Sequence, residues 1–201
     1  MTKFNIAVLI SGNGSNLQSL IDEFKSSQLV NISCVISNKQ EAYGLERASI
    51  ANINSHFIDH KEYNSREAFD EAMIMQLDHY KPDLIVLAGF MRILSDTFVD
   101  KYMGRLINIH PSLLPKYKGL DTHKRVIDAQ EEYHGATVHY VDNTLDGGPI
   151  CAQSSIKVTT NNPKELQKDI HKLEHELYPS VIRDISEQKI YLSEGKVIKN
   201  K

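Results

Sequence analysis

Short apolar runs alternate with helical stretches through the first half of the chain, and few folds accommodate that alternation. Phe4–Ile10 is a continuous apolar run closed by Ser11-Gly12-Asn13-Gly14-Ser15, the pattern of a strand buried on both faces. Over residues 16–27, Leu17, Leu20, Ile21 and Phe24 fall at helical spacing. Residues 31–37 predict a second strand, 43–52 a helix and 55–58 a third strand. Asn64 and Glu67 form a capping pair that opens a helix to Tyr80. After Pro82, Leu84–Leu87 predicts a fourth buried strand; Ser95 caps a short helix to Met103, Gly104 ends it, and Leu106–His110 is the next strand. Such alternation predicts an α/β fold: a Rossmann-like, mostly parallel sheet flanked by helices on both faces, with ligands at the carboxyl ends of its strands.

The C-terminal half reads differently. Residues 136–141 and 150–158 are β-rich and joined by a turn through Asp146-Gly147-Gly148-Pro149, which predicts added antiparallel strands. Pro163 opens a long helix to about residue 187 with a kink expected at Pro179, and residues 190–199 predict a terminal hairpin. With no repeat, low-complexity tract or linker, the whole of 1–201 reads as one domain.

Charge narrows the function classes. The 201 residues carry 23 basic and 26 acidic side chains, net −3, without a long run of one sign, so no footprint for nucleic acid or an anionic membrane is present. Cys34 and Cys151 lie far apart in apolar runs and read as buried, reduced thiols. The first apolar run is too short for a signal core or a membrane span. A cytoplasmic protein with small-molecule substrates is expected; the oligomeric state is not legible.

Several residues carry candidate chemistry. Pro111 forbids the next ladder donor, so the strand ends with Asn108 and His110 two apart and on one face. An amide donor beside a titratable imidazole suits carbonyl polarisation and proton transfer, although a solvated strand-end histidine has the same local sequence. Gly12-Asn13-Gly14-Ser15-Asn16 lies between strand and helix, where backbone amides hold anions. Leu17 occupies the place of a third glycine, Ser37-Asn38-Lys39 supplies no carboxylate for a ribose, and no Gly-Lys-Ser/Thr follows. A phosphate monoester therefore fits better than a dinucleotide or a nucleoside triphosphate, with a merely tight turn as the alternative.

Asp146 before two glycines is turn chemistry unless it faces His110, in which case it favours the protonated imidazole. Gly89-Phe90-Met91-Arg92-Ile93-Leu94 sets apolar side chains around one arginine, as a pocket wall or as a loop tucked into the core. His171-Lys172-Leu173-Glu174-His175 matches the inverted zinc-peptidase pattern; with no third ligand identifiable, a solvated helical face is the reading, and no metal site is expected. His56, His60, His79, His123, His134 and His139 show no interpretable spacing.

Taken together, Ser11 to Asn16, Ala88 to Leu94, Asn108 to Pro115 and Leu145 to Pro149 resemble the phosphoribosylglycinamide formyltransferase family of folate-dependent enzymes, and the resemblance extends to Glu174-His175-Glu176-Leu177-Tyr178-Pro179. It implies formyl transfer from 10-formyltetrahydrofolate, a co-substrate, to the amine of glycinamide ribonucleotide in de novo purine biosynthesis, without a metal. It implies that residues 1–105 form a phosphate-binding half and 106–201 a catalytic and folate-loop half. Gly14, Ser15, Asn16 and Glu174 would bind the ribonucleotide. Arg66, Met91, Arg92, Ile93, Leu94 and Asn108 would hold the formyl-folate. Asn108, His110 and Asp146 would be catalytic, with His110 the proton donor and Asp146 favouring its protonated form. A methionyl-tRNA formyltransferase is expected to add a C-terminal domain and more basic charge, and a formyl-folate deformylase an N-terminal domain; neither pattern is expected here. Asn143 and Asp121 depart from the residues usual in the family.

Overall fold

Strand β1, Phe4–Ile10, is a run of apolar residues buried without exception from Ile6 onward, and the first half of the fold is assembled around it. The computed structural model describes residues 2–200, and the chain forms two compact units, Met1–Ile107 and Asn108–Lys201. The boundary falls inside a strand, two residues beyond the division expected after residue 105.

In the first unit β2 (Val30–Ser37), β3 (Ser55–Phe57) and β4 (Leu84–Leu87) join β1 in the order β3-β2-β1-β4, all neighbours parallel. Helices α1 (Ser15–Phe24), α2 (Tyr43–Ile50), α3 (Arg66–Tyr80) and α4 (Asp96–Lys101) connect the strands. Helix α1 buries Leu17, Leu20, Ile21 and Phe24, the apolar stripe its spacing predicts. The α3 cap differs from the expected one: Ser65, in extended conformation, accepts from Ala68 N–H at 3.1 Å, and Asn64 stands one residue outside the helix. Ser95 caps α4 as predicted, and Gly104 takes a positive φ of 77° where the chain leaves it. A short 3-10 turn at His60–Glu62 has no counterpart among the predicted elements.

Strand β5 (Leu106–His110) crosses the unit boundary; β6 (Tyr133–Tyr140) and β7 (Ile150–Lys157) follow it in the sheet order β5-β6-β7 and pair antiparallel, with Tyr133 opposite Lys157 and His139 opposite Ile150. Helix α6 (Pro163–Ser186) starts under an Asn162 cap and continues through Pro179; β8 (Ile190–Ser193) and β9 (Lys196–Lys199) make the expected terminal hairpin. Helix α5, Thr122–Asp128, is absent from the sequence reading. Seven residues with one fully buried apolar side chain carry no legible period, and its cap position, Asp121, is left-handed at φ 57° without a side-chain cap bond. The fold is thus α/β and Rossmann-like, with a mostly parallel sheet, flanking helices and antiparallel strands in the C-terminal half. Among the described residues no helix is long and apolar enough to cross a membrane.

Candidate active site

In the second unit, Asn108 and His110 end β5 on one face, half-buried and buried respectively. The segment after them is locked by Thr137 of β6, which accepts from Leu114 N–H at 3.1 Å and from Gln153 Nε2 at 2.9 Å while donating to Ser112 O at 2.6 Å. Gln153 also donates to Leu114 O at 2.9 Å. Residues 112–114 are therefore stitched to the β6–β7 pair, which holds the end of β5 in place.

Asp146 does face His110: its Oδ2 lies 3.4 Å from Nδ1. The same oxygen accepts from Gly119 N–H at 2.8 Å. On the far side of the ring, Nε2 lies 2.9 Å from the carbonyl of Tyr117. A carbonyl can only accept, so Nε2 donates to it, and Nδ1 faces the carboxylate. Asp146 holds this position at a left-handed φ of 44°, strain that a surrounding structure must sustain. The loop around it is tight. A Cβ at Gly147 would collide with the Thr144 hydroxyl and one at Gly148 with the Tyr140 carbonyl, so the Asp-Gly-Gly sequence is at once turn chemistry and the means of aiming a carboxylate.

His139, unread in the sequence, completes the group. Its Nδ1 donates to the Tyr140 carbonyl at 2.8 Å, and burial holds its pKa below the ordinary histidine value. The neutral ring then offers Nε2 as an acceptor, 3.2 Å from Asn108 Nδ2 and 3.9 Å from Asp146 Oδ1. The only local signal was a histidine placed between Val138 and Tyr140 in a buried strand. Its link to Asn108 depends on strand pairing, which no local pattern reveals. A second pair lies nearby in sequence: His123 Nδ1 and His134 Nε2 are 3.0 Å apart, and burial first, then neighbouring histidines, pull both pKa values down to about 4.

Glu174 corrects the expectation of a solvated helical face. Leu166, Ile170, Glu174, Tyr178 and Ile182 recur every four residues along the buried stripe of α6, with Glu174 only 4% exposed. Its negative charge is one cause, after burial, of the raised Tyr178 pKa. His171 and His175 stack with ring centroids 6.3 Å apart. Among the described residues no group of three or more His, Cys, Asp or Glu side chains could hold a metal ion.

In the first unit, Gly14 is the N-cap of α1 at φ 73°, a left-handed conformation that favours glycine, and no side chain caps the helix. The first amides of α1, from Ser15 and Asn16 onward, therefore begin an uncapped helix. Ser11 joins this loop to the one after β4. Its hydroxyl donates to Asn38 Oδ1 at 2.6 Å and accepts from Met91 N–H at 2.8 Å. In the 89–94 loop Phe90 and Leu94 are buried, while Met91 and Ile93 are 66% and 68% exposed. The Arg92 guanidinium lies 6.0 Å from the Phe69 ring centroid, and its buried Nε–H has no acceptor among the described residues. Arg66, exposed, is one helical turn before Phe69 on α3.

The formyl transferase family model matches residues 4–182. The phosphoribosylglycinamide formyltransferase of Escherichia coli strain K12 is 46% identical over 193 residues, covering 95% of this chain and 91% of that protein. The trifunctional purine biosynthetic protein adenosine-3 of Chironomus tentans is 44% identical over 196 residues, and the chain spans 96% of itself but 14% of that longer protein. A solved phosphoribosylglycinamide formyltransferase from Coxiella burnetii superposes with a TM-score of 0.94 at 46% identity, covering 98% of this chain and 94% of that one.

Proposed function

Since the chain belongs to the formyl transferase family, we infer from that premise what it does and how its residues do it. It transfers the formyl group of 10-formyltetrahydrofolate to the amine of glycinamide ribonucleotide, giving formylglycinamide ribonucleotide and tetrahydrofolate in purine biosynthesis. Its substrates are small molecules; with both cysteines unpaired, we place the enzyme in the cytoplasm.

The observation that carries the catalytic reading is the chain of contacts Asn108, His139, Asp146 and His110. The amine nitrogen attacks the formyl carbon, the carbonyl electrons move to oxygen, and collapse breaks the bond to N10 of the folate. Asn108 donates its second amide hydrogen to the developing oxyanion, a kind of contact whose loss costs a factor of roughly 100 to 1,000 in turnover. His110, held through Nδ1 by the Asp146 carboxylate, supplies the proton that N10 acquires on leaving. The proton shed by the amine returns to the His110–Asp146 pair directly or through water.

The folate is assigned to Arg66, Met91, Arg92, Ile93, Leu94 and Asn108. Exposed Met91 and Ile93 suit the face of a pterin, and the Arg92 Nε–H has a vacant acceptor position that a heteroatom or carboxylate would fill. The ribonucleotide's phosphate and ribose region is assigned to Gly14, Ser15 and Asn16, with Glu174 reaching the same substrate. On this reading 1–201 is a single formyltransferase domain, 1–105 supplying phosphate binding and 106–201 catalysis and the folate loop. An absorbance assay with glycinamide ribonucleotide and 10-formyltetrahydrofolate tests it. Turnover abolished in His110→Ala supports the reading. No folate-dependent change with the well-folded parent protein overturns it in favour of a non-catalytic phosphosugar-binding module.

A further inference from the structure

A loop built on Gly12 and Gly14 does not hold its own shape, because glycine gives up more backbone freedom on ordering than any other residue. Helix α2 supplies the constraint. Gly44 and Arg47 are three residues apart and so share one helical face, and both meet the loop. Gly44 N–H donates to the Gly12 carbonyl at 3.1 Å. A Cβ on Gly14 would stand 2.8 Å from the Gly44 Cα, and one on Gly44 would collide with the Ile10 side chain. Backbone here packs on backbone.

Arg47 adds the polar part. Its Nε donates to the Asn13 carbonyl at 2.9 Å, one terminal nitrogen to Asn13 Oδ1 at 3.2 Å, and the other to Gln18 Oε1 at 2.9 Å. The Tyr43 ring centroid lies 4.7 Å from the guanidinium carbon. Asn13 belongs to a residue type whose side chain readily turns onto nearby backbone amides, and here that oxygen is held by the arginine. Gln18 lies one turn into α1, so a single planar fork grips both the loop and the helix that follows it.

We propose that Arg47, acting with Gly44 beneath Gly14, is a positioning residue for ribonucleotide binding: it holds Asn13 so that the uncapped N-terminus of α1 stays open to the phosphate. The inference rests on the assignment of this loop to the phosphate. It does not touch the folate or the reacting atoms, so its effect belongs in the KM of one substrate.

Steady-state kinetics of the full chain, varying each substrate separately and recording thermal midpoints, test it with R47A, R47K and Ser15→Asp. R47A is expected to raise the KM for glycinamide ribonucleotide about tenfold, the effect of one charge-assisted hydrogen bond, with the KM for 10-formyltetrahydrofolate and the thermal midpoint near those of the parent. R47K is expected to stay close to R47A, because an ammonium group cannot hold three spread acceptors. A parental KM in R47K overturns the brace, since charge alone then suffices; so does an equal rise in both KM values, or a fall in midpoint with neither KM changed. Ser15→Asp separates this proposal from the assignment beneath it by setting a carboxylate where the phosphate would lie. A raised ribonucleotide KM in Ser15→Asp with R47A unchanged keeps the loop as phosphate site and refutes the brace. An unchanged KM in Ser15→Asp refutes the phosphate assignment itself.

Discussion

The two units present chemistry in opposite ways. The first offers backbone: glycines, an uncapped helix start and peptide groups held by Arg47, with scarcely a titratable side chain in the loop itself. The second offers side chains, and Asn108, His110, His139 and Asp146 reach one another from β5, β6 and the loop before β7. A backbone site is written in consecutive residues, because the same stretch makes the turn and the amides. A side-chain site is written in residues about thirty apart, and only strand pairing brings them together.

The contrast is most easily broken at His110. His110→Ala and Asp146→Ala are each expected to lower kcat by roughly 100 to 10,000-fold while the fold persists, measured by turnover alongside circular dichroism. Turnover near that of the parent in either variant would mean that the second unit's side chains are not the chemistry. A smaller effect is expected from His139→Ala, about tenfold in kcat, because it frees the Asn108 amide to rotate without removing a group that touches substrate. An unchanged kcat there would confine the side-chain site to three residues.

The first unit should answer instead in stability and binding. Gly14→Ala forces a side chain into a left-handed backbone beside the Gly44 Cα, at a cost of about 1–2 kcal/mol, visible in the denaturant midpoint. No loss of stability would imply that the loop can relax and that its shape is not imposed.

The subtlest separation is by pH. Burial lowers the pKa of His123 and His134 from 6.5 to about 4. Between those values the unfolded chain binds protons that the folded chain refuses, so stability falls as pH drops from about 6.5 towards 4 and is constant, as far as these groups go, above that window. Denaturation midpoints measured across the window should show this slope, and His134→Gln should flatten it. A parental slope in that variant would assign the pH dependence elsewhere.

What was legible follows the same division. The parallel strands, the Ser95 cap, the Gly12-to-Asn16 loop and the terminal hairpin are local patterns, read from periodicity and from residues with strong backbone preferences. Asn108 and His110 were readable because Pro111 ends their strand and two-residue spacing sets their face. His139 was not, since its value lies in a cross-strand contact with Asn108. Glu174 shows a different failure: its place on the Leu166–Ile170–Tyr178 stripe was visible, but a carboxylate at a buried position argues against burial until its surroundings are known. Helix α5 stayed hidden because seven mostly polar residues have no period to detect. The family resemblance supplied roles that local reading left open at Asp146 and at the 89–94 loop, where turn and pocket, or core and pocket, use the same residues.

Both cysteines are fully buried and unpaired, and burial pushes each thiol up to about 12. At neutral pH the folded protein therefore presents essentially no thiolate to an alkylating or oxidising reagent. The chain thus carries two internal clocks for opening, Cys34 in β2 and Cys151 in β7. The rate at which each becomes labelled reports how often its own strand is exposed to solvent, without any probe being introduced.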